Sequence, residues 1–131
     1  MIVDTSAIIA IALAEPGAEQ LLRTLYSADT RRMSVASALE ACLVLVGRFG
    51  EAGKSDLDAL LRQLRIELVP VDREQAAIAQ EAAVRFGRGG HHASLNYGDC
   101  FSYALAAATG EPLLCTGDDF PATDIRVAPR T

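Results

Sequence analysis

Short apolar runs alternate with stretches of helical periodicity along this chain. Met1-Ile2-Val3 stops at Asp4 and reads as a buried strand entering a turn. Thr5 and Ser6 stand where a cap belongs for a helix over 7–13, which Pro16 ends. Residues 17–28 carry Leu21, Leu22 and Leu25 at helical spacing, and Arg31-Arg32-Met33 is a brief strand candidate. Ser34 or Ser37 opens a long helix to Phe49, with Leu39, Leu43 and Val46 as its expected inward face. Gly50 and Gly53 are expected to break it. Ser55 then caps a helix over 56–65 with Leu57, Leu60, Leu61 and Leu64 inward. Residues 66–71 read as a strand, and Asp72 caps a helix to about Phe86. The composition of 87–92, with its three glycines and His91-His92, is that of a loop. Asn96-Tyr97-Gly98-Asp99 leads into an apolar helix over 100–108, closed by Gly110. A strand over 112–116, a turn over 117–121 and a last short strand over 125–127 complete the pattern.

Strands that alternate with helices predict an α/β fold with a short, mainly parallel sheet flanked by helices, as one domain over 1–131. Such sheets put their sites beyond the carboxyl ends of the strands. Asp4 and the Asp118-Asp119 pair each follow a predicted strand, so they are expected on one edge of the sheet.

Half of the 131 residues are hydrophobic and 22% are charged, which excludes intrinsic disorder. The apolar run near the start is far shorter than the ~20 residues of a membrane span. No basic segment precedes it, so neither a membrane anchor nor a signal peptide is expected and the expected location is the cytoplasm. Cys42, Cys100 and Cys115 lack metal-site spacing and read as small buried hydrophobes.

The acids carry the chemistry. Glu40 lies in a helix that is apolar nearly all round, and a buried unpaired carboxylate costs several kcal/mol. It must therefore be neutral, paired with an arginine such as Arg48, on a wet stripe, or bound to a metal. Asp99 is the single acid between Glu81 and Glu111; a helix cap is one role for it, as it is for Asp4, and Asp118-Asp119 could be plain turn residues. Together they suggest more. Carboxylates clustered at one sheet edge repel one another unless a cation lies between them. Oxygen donors without Cys–His spacing select Mg²⁺ or Mn²⁺, and Mg²⁺ on two carboxylates keeps several waters.

The net charge of −5 sharpens this reading. Setting aside Asp4, Glu40, Asp99, Asp118 and Asp119 leaves twelve acids against twelve bases, so the candidate cluster accounts for the whole excess. Eleven of the twelve bases are arginine, the better bidentate phosphate ligand, so an acidic chain does not exclude nucleic acid.

Asp4-Thr5-Ser6 after a first strand, Glu40 in the next long core helix and Asp99 before a late apolar helix form an ordered set. With Leu113-Leu114-Cys115-Thr116-Gly117-Asp118-Asp119-Phe120, that set resembles the PIN-domain ribonucleases, specifically the VapC-type toxins of bacterial toxin–antitoxin pairs. The stretch from Leu95 to Ala106 and Thr123-Asp124-Ile125 are similar to one VapC subgroup. The resemblance spans essentially the whole chain and implies a three-layer PIN-like fold. It implies a Mg²⁺- or Mn²⁺-dependent endoribonuclease that cuts RNA, is usually a homodimer and is silenced by a cognate VapB antitoxin. By family pattern Asp4 and Asp99 hold the metal, Glu40 completes its direct or water-mediated coordination and helps to position the attacking water, and Ser6 is the hydroxyl beside the metal. The fourth acid is Asp118 or Asp119; Asp119, which precedes Phe120, is preferred. The antitoxin is expected to offer an arginine or lysine to the acids and to lay apolar residues against Leu25, Leu57 and Leu61.

Weaker candidates carry two readings each. His91 and His92 are phosphate contacts or solvated loop residues. Arg31-Arg32 and Arg85 with Arg88 are RNA contacts or ordinary surface charge, and Tyr97 and Tyr103 stack on bases or pack in the core. Two other functions compete. An aspartyl-phosphate phosphatase wants a second Asp two residues after Asp4, where Ser6 stands. A non-catalytic PIN-like binding module has no need of the intact acid set.

Overall fold

In the computed structural model, which describes residues 1–89 and 93–129, four short runs form strands: β1 (Ile2–Val3), β2 (Arg32–Ser34), β3 (Glu67–Val69) and β4 (Leu113–Leu114). They pair in the order β3-β2-β1-β4, and every pairing is parallel. Strands this short are held by the layers that cover them. Ile2 pairs with Leu113, and both enter the core on one face. Val3 pairs with Leu114, and both enter the core on the other.

The first core is closed by α5 (Arg73–Phe86) and α6 (Tyr97–Thr109), through Ala79, Ala82, Phe86, Tyr103 and Leu105. The second lies under α1 (Thr5–Ala12), α2 (Ala18–Tyr26), α3 (Val35–Phe49) and α4 (Glu51–Gln63), and holds Ile8, Leu25, Met33, Leu45 and Leu61. The result is the expected three-layer α/β arrangement. Because the strands are parallel, Asp4 after β1, the start of α3 after β2 and the turn after β4 share one edge of the sheet. No helix among the described residues is long and apolar enough to cross a membrane.

Several local expectations are corrected. Of the candidate caps Asp4, Thr5 and Ser6, it is Asp4 that caps α1, while Thr5 donates to the Ser37 carbonyl at 2.9 Å, tying α1 to α3. Ser34 caps α3, so Ser37 falls inside the helix and is buried. Gly53 does not break a helix. It lies within α4 where the α3 backbone comes so close that an added Cβ would sit 2.9 Å from the Val46 nitrogen. The absent side chain permits that approach. Residues 125–127 form no strand; a single bridge joins Val127 to Leu113.

The largest difference is the orientation of α3. Its inward face is Ser37, Ala41 and Leu45, while Leu39 and Leu43 are 61% and 66% exposed and Val46 is exposed too. Small residues let α3 pack closely on α1 and α6. With apolar residues on both faces, hydrophobicity did not choose between them.

Candidate active site

Asp4 is 3% exposed, and both its oxygens have donors. Oδ2 accepts the Ser6 amide at 3.0 Å, which is the helix cap. Oδ1 accepts the Ser102 hydroxyl at 2.5 Å. Ser102 is itself 3.0 Å from the Ser37 hydroxyl, and both serines are fully buried. The sequence marks Ser37 only as a candidate helix cap and assigns Ser102 no role of its own. The available signal was a polar side chain on the inward face of a core helix, where a hydrogen-bond partner is obligatory.

Asp99 sits in the first turn of α6. The helix starts earlier than expected, at Tyr97, so the cap is Asn96. The pair forms a reciprocal box: the Asp99 amide donates to Asn96 Oδ1 at 2.9 Å, and the Asn96 amide donates to Asp99 Oδ2 at 3.0 Å. Its carboxyl is nonetheless pushed up to about 6. Burial is the main cause and the negative charges of Asp4, Glu40 and Asp119 add to it, against the Asn96 amide, which favours the charged form.

Glu40 is half-buried rather than deeply buried, because it stands on the flank of α3 that faces the start of α6. Its carboxylate lies against Gly98: a Cβ there would be 2.6 Å from Glu40 Cδ. Gly98 thus leaves the space that Glu40 occupies beside Asp99.

Asp118 and Asp119 are both exposed, in a turn that Gly117 opens with a left-handed φ of 77° and that the buried Phe120 anchors. Asp119 is among the charges that raise Asp99. Ser6 Oγ accepts the Thr116 amide at 3.0 Å, which ties the turn after β4 to the start of α1.

Among the described residues no three His, Cys, Asp or Glu side chains stand close enough to hold a metal ion by themselves. The donor set still suits a hard cation that brings most of its coordination as water. The converging groups are all carboxylates, and their mutual repulsion registers on Asp99.

The remaining candidates are structural. Arg31 donates to the Leu64 carbonyl at 2.9 Å and stacks over Tyr26; Arg32 pairs with Glu111 at 3.0 Å. Arg85 pairs with Asp124, whose other oxygen accepts the hydroxyl of the buried Tyr103 at 2.5 Å. Tyr97, by contrast, is 83% exposed. Leu25, Leu57 and Leu61 are buried in the core and offer no antitoxin surface. His91 and His92 lie outside the described residues.

The PIN domain family model matches residues 1–125. A protein named Ribonuclease VapC from Mycolicibacterium smegmatis is 49% identical over 125 residues, covering 95% of this chain and 97% of that protein. Two solved structures share the fold. One is Mycobacterium tuberculosis VapC20, described as a toxin that cleaves the sarcin-ricin loop, at a TM-score of 0.76 and 20% identity over 98% of both chains. The other is VapBC2 from Rickettsia felis, bound to a DNA fragment of its promoter, at a TM-score of 0.74 and 16% identity over 96% of this chain and 95% of that one.

Proposed function

The chain belongs to the PIN domain family, and within it to the VapC ribonucleases, and on that premise we propose that it is a Mg²⁺- or Mn²⁺-dependent endoribonuclease, the toxin of a toxin–antitoxin pair that acts in the cytoplasm. The observation that carries this reading is that Asp4, bonded by Ser102 of α6, and Glu40, lying against Gly98, both meet the start of the helix that carries Asp99, at the carboxyl edge of a parallel sheet.

Asp4 and Asp99 are the residues that would hold the cation. When bound, it supplies an acidified water and offsets charge that develops on the phosphate. Asp4 is fixed by two donors and Asp99 by its box with Asn96, so neither carboxylate has to reorganise to do this. Glu40, held against Gly98, takes the proton of the attacking water on a carboxylate oxygen. Asp119 adds negative charge to the site and raises its affinity for a cation. The Ser6 oxygen is engaged by Thr116, which leaves its proton to donate to a carboxylate or a phosphate oxygen.

Membership among the VapC ribonucleases supports a VapB-type antitoxin as the partner that silences the site. An arginine or lysine from it would neutralise the acid cluster. The exposed apolar stripe of Leu39, Leu43 and Val46 on α3 supports a homodimer, since a solvent-facing apolar patch costs free energy unless a second chain covers it. The phosphatase reading has no such support: the residue two after Asp4 is Ser6, and it bonds Thr116.

The test is incubation of the purified protein with total bacterial RNA, with Mg²⁺, with Mn²⁺ or with chelator, alongside Asp99→Asn. Metal-dependent internal cleavage by the wild type alone is expected. Cleavage that survives chelation, or that Asp99→Asn retains in full, overturns the proposal.

A further inference from the structure

The two flanks of the first turns of α6 face different neighbours. Gly98, Asp99 and Ser102 face the acids. Asn96, Tyr97, Cys100 and Phe101 instead line a cleft of about 620 Å³ against α5. Ala79 and Ala83 of α5 also line the cleft, together with Arg88. Alanines there leave room that larger side chains would fill. The volume falls within the ~300–1,000 Å³ typical of ligand sites.

Tyr97 is the unusual residue. It is 83% exposed, yet its ring is held edge-on against Phe101, at 5.0 Å between centroids and 83° between planes. The contact fixes the ring while leaving most of it open to solvent. A fixed, exposed aromatic ring beside a cleft is what an unpaired base stacks on. The exposed guanidinium of Arg88 supplies the matching charge for a phosphate.

Tyr97 and Asp99 are two residues apart, so they stand about 200° apart around the start of one helix. A helix with its side chains is ~10 Å across, a distance that one or two nucleotides of extended strand cover. A strand with its scissile phosphate at Asp99 that continues over the start of α6 delivers its next bases to the cleft.

We propose that the α5–α6 cleft is a base-binding subsite for single-stranded RNA, in which Tyr97 stacks on a nucleobase next to the cleaved linkage and Arg88 holds the adjoining phosphate. The proposal rests on the ribonuclease reading above and specifies how the substrate is held.

The chain has no tryptophan, so Tyr97→Trp installs a single fluorophore in the cleft. In a Glu40→Gln background, which keeps Asp4 and Asp99, the probes are an adenosine octaribonucleotide, a uridine octaribonucleotide and an abasic octamer of equal charge. Saturable quenching by the two base-bearing strands, stronger for adenosine, and little by the abasic strand is expected. With Glu40 intact, Tyr97→Ala should raise KM roughly 5- to 100-fold with kcat little changed, while Tyr97→Phe stays near wild type. Equal quenching by the abasic octamer overturns the proposal in favour of purely electrostatic contact. So does an indole that acrylamide cannot reach in a Tyr97→Trp protein that sediments as a dimer, since a second copy then fills the cleft. Absence of RNA cleavage by the wild type would instead refute the ribonuclease reading, and the quenching data would remain interpretable without it.

Discussion

Ser102 donates its hydroxyl to Asp4 Oδ1 at 2.5 Å, from a position with no solvent exposure at all. As a carboxylate Asp4 can only accept, so the single Ser102 proton is committed to it. The 3.0 Å contact between the two serine oxygens must then use the proton of Ser37. A directed chain therefore runs from α3 through α6 to the end of β1. It supplies Asp4 with a donor that the apolar surroundings lack, and it does so without a cation that would compete for a metal.

The chain predicts unequal effects for its two members. Ser102→Ala leaves a buried carboxylate oxygen without a donor and should cost about 1–3 kcal/mol of stability. It should also weaken Mn²⁺ binding roughly 10- to 100-fold, the usual effect of removing a group that orients a metal ligand. Ser37→Ala keeps the Ser102–Asp4 bond and should do markedly less to both. Calorimetric titration with Mn²⁺ and thermal unfolding of the two variants measure this. Unaltered Mn²⁺ affinity in Ser102→Ala would reduce the hydroxyl to a packing role.

Gly98→Ala should separate stability from activity. Alanine is the better helix former by up to about 1 kcal/mol, so α6 should hold or gain stability. The new Cβ collides with the Glu40 carboxylate, the far end of a flexible side chain, which must move away from Asp99. RNA cleavage should fall at least tenfold in kcat while the melting temperature is unchanged or higher. A variant that melts lower and cuts normally would mean that Glu40 has no catalytic position to lose.

Asp99 gives the metal-free protein a defined response to pH. Its folded pKa, about 6, lies above the ordinary value of 3.8, so the native state binds more protons than the unfolded state between those limits. The stability linked to this group is present in full below about 4 and is lost as pH rises through about 6. In chelator, the melting temperature of wild type minus that of Asp99→Asn should therefore decline from pH 4 to 7. Mn²⁺ should reverse the trend, because the cation binds the form that has lost its proton. A flat difference across this range in chelator would show that neither burial nor the charges of Asp4, Glu40 and Asp119 raise Asp99.

How legible these features were depended on what each residue has to satisfy. The parallel sheet and its acid-bearing edge could be read because Met1-Ile2-Val3 and the run around Leu113 and Leu114 are short apolar segments that stop at turns with acids. Nothing in such a run competes with a buried strand. The side that α3 buries could not be read that way. Ser37, Ala41 and Leu45 form a less hydrophobic stripe than Leu39, Leu43 and Val46, and they win because close contact with α1 and α6 needs small groups. By propensity Tyr97-Gly98 is a poor helical start, which sets Asp99 before its helix rather than in its first turn. The capping box of Asn96 and Asp99 overrides that preference. The hydroxyls of Ser37 and Ser102 become meaningful only once two helices distant in sequence are brought together.

The outward face of α3 yields the last prediction. Leu39 and Leu43 are one helical turn apart and mostly exposed, and Val46 and the exposed Phe49 continue the apolar surface. A helix face packed on its own copy about a twofold axis meets the same residues across the interface, so a single apolar stripe is self-complementary. A stable pairing needs about 800 Å² from each partner, more than one leucine provides, so flanking residues such as Val35 must take part. Leu43→Glu puts a charge at 66% exposure, where it is solvated in the monomer, and should change monomer stability by no more than about 0.5 kcal/mol. In a dimer the same charge would be buried opposite its own copy. Sedimentation equilibrium should therefore show a dimer for wild type and a monomer for Leu43→Glu, with identical far-ultraviolet circular dichroism. The melting temperature should rise with protein concentration for wild type alone. A wild type that stays monomeric at all concentrations, or a Leu43→Glu variant that still dimerises, would remove α3 from the interface.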